Sequence, residues 1–135
     1  MMGNSIKYPS IEEVEGYNVL VLNIIRVKKA DKPQVLSKSK IREAIEACEK
    51  AEGDIYCKAA VLIRCLVRAH AFASGNRRTA FVVAKEFVIA NGKDFRIKDD
   101  PEYAKVMRGI REGYYSDGEI LEWIKNGKIR EFRRS

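Results

Sequence analysis

The run from Ile55 to Ala69, "IYCKAAVLIRCLVRA", constrains the fold more than any other stretch, because Lys58, Arg64 and Arg68 are its only charged residues. A helix of that composition has no broad polar face to offer to water, so other elements must cover it on most sides. It is expected to be the central helix of a bundle. Apolar residues also recur at helical spacing in "YNVLVLNIIRVKK", "IREAIEACEKA" and "TAFVVAKEFVIANG", while no segment beyond a few residues alternates with a period of two.

Start and stop residues agree with this reading. Ser37 or Ser39 can cap the second helix, with Gly53 after it, and Asn91-Gly92 ends the fourth. Asp100-Pro101 opens a fifth with proline at the first helical position, and Ser116 to Glu119 has capping-box spacing ahead of a helix that closes at Gly127. The expectation is an all-α bundle of about six helices. A length of 135 residues suits one domain over 1–135, with 28–35 as a loop and with 1–7 and the basic end 128–135 mobile.

Lys and Arg number 26 against 19 Asp and Glu, a net charge of +7. Such an excess suits an anionic partner: a nucleotide, an acidic protein face or nucleic acid. Nucleic acid is the weakest of these, since the basic residues are not interleaved with aromatics in a stacking pattern. Cys48, Cys57 and Cys65 make an odd count without a CxxC pair, and read as buried thiols of a reducing cytosol. With no apolar run near the roughly 20 residues a membrane span needs, a cytoplasmic protein without membrane contact is expected.

Chemistry concentrates in "LVRAHAFASGNRRTAFVV", residues 66–83, which holds the only histidine of the chain. The central helix runs out near His70, a loop follows, and a new helix starts between Asn76 and Thr79. A helix start leaves backbone N–H groups free and carries partial positive charge, so it accepts phosphate, the more so where Gly75 lets the backbone come close. Arg77 and Arg78 add guanidinium forks that match phosphate oxygens. An imidazole can exchange a proton near neutral pH, so His70 can act as a general base at the mouth of that loop. Each element also has an ordinary reading, as helix end, turn and solvated cation; their concurrence within one short loop favours a phosphate-transfer site.

"HAFASGNRRTA", His70 to Ala80, resembles the motif of the Fic/Doc superfamily: His, any residue, Phe, any residue, Asp or Glu, Gly or Ala, Asn, Gly or Lys, Arg. The flanking "KAAVLIRCLVRAH" and "TAFVVAKEFVIANG" and the late "GEILEWIKNG" are similar to the Doc, or death-on-curing, branch, and the resemblance runs from about Tyr8 to Lys125. It implies a Fic/Doc-like helical fold, ATP as the phosphate donor and a hydroxyl of a target protein, such as a translation factor, as acceptor. His70 matches the family's base, Phe72 the aromatic that anchors the loop, and Gly75 and Asn76 the anion-binding turn. Arg78 matches the arginine on the nucleotide phosphates. Arg77 stands where adenylylating relatives have Gly and Doc has Lys, so it favours phosphate transfer over AMP transfer.

Ser74 stands where the family has its magnesium-binding acid. A hydroxyl is a poor ligand for magnesium beside a carboxylate, so no metal ligand carries over; Ser74 is free to cap the next helix or line the nucleotide site. The self-inhibiting helix of Fic proteins has its nearest match in "IEEVEG", residues 11–16, with Ile in place of the hydroxyl, and Glu15 reads as a surface acid. The Doc branch implies instead a toxin controlled by a separate, small acidic antitoxin. Three readings follow: a phosphate-transferring toxin, an AMP transferase, and a binding module without catalysis.

Overall fold

The computed structural model describes residues 5–25 and 32–133. Among them six helices form: α1 Ile11–Ile25, α2 Lys38–Lys50, α3 Ile55–Ala69, α4 Asn76–Ala90, α5 Glu102–Arg111 and α6 Asp117–Asn126. Their one extended pairing is an isolated bridge between Val35 and Phe72. The fold is all-α.

The central position of α3 follows from its side chains. It packs against α2, α4, α5 and α6, and Ile55, Tyr56, Ala59, Ala60, Leu62, Ile63, Leu66 and Val67 are buried between them. Only a strip containing Val61, Arg64, Cys65 and Arg68 escapes full burial. Two of the three cations tie α3 to its neighbours. The Lys58 ammonium is buried and donates to the carbonyls of Cys48, Glu49 and Ala51 at 3.4, 3.0 and 2.8 Å. Those carbonyls are at the end of α2, where no intrahelical donor exists, so a residue that looked out of place in an apolar helix closes another one. Arg64 donates to both carboxylate oxygens of Asp117 at 2.6 and 3.1 Å, bracing α6.

The helix boundaries hold with small shifts. Ser37 caps α2, Ser116 and Glu119 form a complete capping box on α6, and Gly127 ends α6 at φ 73. Helix α1 begins earlier than its apolar periodicity alone indicates, because Ser10 and Glu13 exchange capping bonds of 2.9 and 3.0 Å. Pro101 stands just before α5 instead of inside it, and the Asp100 carboxylate accepts the Glu102 N–H at 2.9 Å. Of the three cysteines only Cys48 is buried, with its thiol pushed up to about 12 by that burial; Cys57 and Cys65 are half-exposed, because they fall on the outer strip of α3.

Residues 1–4, 26–31 and 134–135, which include parts of both expected mobile ends and of the expected 28–35 loop, lie outside the described residues. The described part of the basic end is laid against the bundle. Ile129 and Phe132 pack on the core, the Phe132 and Tyr114 rings are 5.0 Å apart, and the Arg130 guanidinium lies 4.0 Å over the Tyr114 ring.

Candidate active site

His70 ends α3 with φ 50 and ψ 50, the one positive-φ residue other than glycine among the described residues. A left-handed residue reverses a chain, and histidine tolerates that region better than a branched residue does. The chain then runs extended from 71 to 73 beside 34–37, with Leu36 N–H and Ser37 N–H on the Ala71 carbonyl at 2.7 and 3.2 Å and Ala73 N–H on that of Gln34 at 3.0 Å. Phe72, buried between these segments and the core, anchors the loop by packing.

Asn76 clasps the loop. Its Oδ1 accepts the Phe72 N–H at 3.0 Å and its Nδ2 donates to the Phe72 carbonyl at 2.8 Å, which fixes the amide's orientation. The same Nδ2 lies 3.4 Å from His70 Nδ1. An amide nitrogen can only donate, so Nδ1 is the acceptor in this long contact and Nε2 carries the proton of the neutral ring. The Asn76 side chain is thus committed to the loop, and its backbone N–H is what it can offer an anion. Behind the loop, Asn18 of α1 is buried and its Nδ2 donates to the Ser74 carbonyl at 2.9 Å and the Thr79 hydroxyl at 3.1 Å. Gly75 turns the chain into α4 at φ 77, and a Cβ there would press on Asn18 and Leu22 at 3.3 and 3.2 Å. Nothing in the motif pointed to Asn18. The only trace was an asparagine four residues after buried Val14 and three before buried Val21, on one helical face.

Helices α1, α2, α3, α5 and α6 each begin with a side-chain oxygen on a first-turn N–H, from Ser10, Ser37, Asp54, Asp100 and Ser116. Helix α4 has no side-chain cap, so Ser74 does not play the capping role open to it; Gly75 occupies the cap position and Ser74 contributes its carbonyl to Asn18. The uncapped start of α4 adjoins a cavity of about 420 Å³. His70, Ser74, Gly75, Asn76, Arg77 and Arg78 all line it, and α5 closes it with Tyr103, Ala104, Met107 and Arg111. The site residues expected from sequence therefore share one space, with Phe72 beneath it.

The cavity is cationic. Arg78 is held by Tyr103, whose hydroxyl accepts from its guanidinium and whose ring lies 5.3 Å from it; Tyr103 in turn stacks on Phe81 at 4.2 Å. Burial holds the Arg77 guanidinium below the usual arginine range, and the like charges of Arg111 and Arg108 press in the same direction. No Asp or Glu is among the described residues lining the cavity; Asp99 and Asp100 line a neighbouring depression that shares Arg78, Tyr103 and Ala104. The side-chain oxygens of the lining are the Ser74 hydroxyl, an Asn76 Oδ1 already bonded to Phe72 and a Tyr103 hydroxyl already bonded to Arg78. Such a neutral, partly occupied set does not fit a cation that prefers anionic oxygens. Among the described residues no group of three or more His, Cys, Asp or Glu could hold a metal. Glu15, the nearest counterpart of the inhibitory glutamate, bonds Lys38 at 2.6 Å instead of a motif arginine.

Residues 26–88 match the model of the Fic/DOC family. The match supports the Fic/DOC superfamily and, with it, a Fic-type transferase-like function, without separating the Doc branch from the rest. It takes in α2, α3, the loop and nearly all of α4, and it ends before α5, which supplies Tyr103 and Arg111. A comparison with curated proteins finds no match. Among the described residues no helix is long and apolar enough to cross a membrane.

Proposed function

We propose that the protein is a Doc-like toxin that transfers the terminal phosphate of ATP to a hydroxyl of a target protein such as a translation factor. The observation that carries this reading is the shared cavity, where the only imidazole of the chain, two motif guanidiniums and an uncapped helix start meet. The uncapped N–H groups of α4 and the forks of Arg77 and Arg78 suit phosphate oxygens and the charge that spreads over them during transfer. The target hydroxyl attacks the terminal phosphorus, the bond to the bridging oxygen breaks, and ADP leaves. The hydroxyl proton passes to His70 at Nδ1, whose 3.4 Å contact with Asn76 is long enough to be given up readily. Arg77 in place of the glycine of adenylylating relatives favours this outcome over AMP transfer. A small acidic antitoxin suits the +7 charge.

A second reading, a binding module without catalysis, is favoured by the lack of a carboxylate in the cavity lining. One experiment separates them. Cell lysate is incubated with the protein and ATP labelled either on the terminal phosphate or on the adenine. Phosphate transfer marks a target from the terminal label alone; marking from the adenine label means AMP transfer, and no marking from either leaves the binding module.

A further inference from the structure

Arg108 and Arg111 stand on α5, beyond the matched family region, and the loop motif gives them no part. Arg111 reaches the wall of the same cavity that His70, Arg77 and Arg78 line. Arg108 is three residues earlier on the helix and so lies on the same face. Both charges bear on Arg77 from across the cavity, and Arg77 is the partly buried member of the three. Some basic side chains of the molecule are neutralised by acids, as Lys38 is by Glu15, Arg64 by Asp117, Lys105 by Glu131 and Arg130 by Glu119. Among the described residues Arg77, Arg108 and Arg111 have no such ion pair and no side-chain hydrogen bond.

Three like charges brought together around one cavity, one of them partly desolvated, repel one another. A multiply charged anion removes that repulsion, and planar guanidinium forks match phosphate oxygens in pairs. A single phosphate at the start of α4 leaves the α5 guanidiniums unused. A chain of phosphates has the charge to engage both walls.

We propose that Arg108 and Arg111, facing Arg77 of α4, form a second anion subsite on the α5 wall, so that the cavity selects a polyphosphate chain over a lone phosphate. The proposal rests on reading the cavity as a phosphate site and extends it to residues outside the motif. It makes Arg108 and Arg111 determinants of donor length: they favour ATP over AMP and also hold inorganic tripolyphosphate.

Calorimetry at one fixed salt concentration tests this with ATP, AMP and inorganic tripolyphosphate on the full chain and on Arg108→Gln/Arg111→Gln. Both side chains are exposed, and equal melting temperatures confirm that the variant folds. The expected result is a loss of about tenfold or more in affinity for ATP and tripolyphosphate, as the removal of charged hydrogen bonds implies, with AMP affinity unchanged. In a protein that binds ATP, equal losses for ATP and AMP or no loss for either would overturn the subsite, and so would failure of tripolyphosphate to bind the unaltered protein. Tripolyphosphate binding that depends on these arginines in a protein that ignores ATP supports the subsite and removes the transferase reading. ATP binding that is lost in Arg78→Ala but indifferent to Arg108 and Arg111 does the reverse.

Discussion

At the scale of single residues, the loop is held by two asparagines with different visibility. Asn76 belongs to the motif, and its side chain closes the loop on the Phe72 backbone. Asn18 is 56 residues away from the Ser74 carbonyl it bonds, on an apolar helix, and serves the same loop from behind. Replacing it with leucine keeps the approximate volume and strands two acceptors, the Ser74 carbonyl and the buried Thr79 hydroxyl. A buried polar group left without its partner costs about 1–3 kcal/mol, so Asn18→Leu should lower unfolding free energy in urea by that order. It should also weaken ATP binding, since the start of α4 loses its brace. A variant as stable as the parent would mean that the two bonds contribute nothing net.

At the scale of elements, the caps decide where helices begin, and α4 is the exception that matters for chemistry. Asp54 shows the ordinary case: its carboxylate accepts the Cys57 N–H at 3.0 Å, and that backbone bond holds it below the usual carboxylate range. The folded chain therefore binds the Asp54 proton less readily than the unfolded chain. The resulting stability is present at neutral pH and is lost as pH falls through the carboxylate range. Asp54→Ala should cost about 0.5–2 kcal/mol at pH 7, the usual range for a lost cap, and the difference between the two proteins should shrink on acidification. Urea titrations at pH 7 and near pH 3 check both statements, and a difference that grows in acid would contradict them.

The element scale is also where the sequence was most and least informative. Helix starts, stops and the central helix were legible because caps and periodicity are local. The motif loop was legible because its residues lie within one short stretch. Arg111 was not: on α5 it follows Lys105 and Arg108 in the pattern of a solvated helix face, and nothing in that spacing separates a cavity wall from water. Tyr103 was hidden for the same reason, since its contact with Arg78 spans 25 residues. The role of Lys58 needed the position of α2, which no periodicity supplies.

At the scale of the whole molecule, α5 sets the far wall of the cavity on one side and meets the basic end on the other, where Lys105 bonds Glu131. Gly109 of α5 sits where a Cβ would come 2.5 Å from the Tyr115 ring and 3.1 Å from Phe132. Gly109→Ala should therefore destabilise the protein by about 1–3 kcal/mol, the cost of overpacking, although alanine is the better helix former. The thermal midpoint checks this; a rise would show that Tyr115 and Phe132 yield without cost. The same change should expose the 129–133 segment to protease, because the added methyl displaces Phe132, one of the side chains that hold it on the core.

The proton transfer proposed for His70 is the step on which phosphate transfer at this cavity depends. Its most direct test is the initial rate of terminal-phosphate transfer from ATP to a target captured from lysate, compared between the unaltered protein and His70→Gln at matched melting temperatures. Glutamine retains hydrogen-bonding capacity but cannot accept a proton near neutral pH. The expected result is a fall of about 10² to 10⁴-fold, the usual contribution of a general base, with ATP affinity little changed. Equal rates in the two proteins, or a His70→Gln chain that no longer folds, would contradict the claim and leave His70 as a residue that only ends a helix.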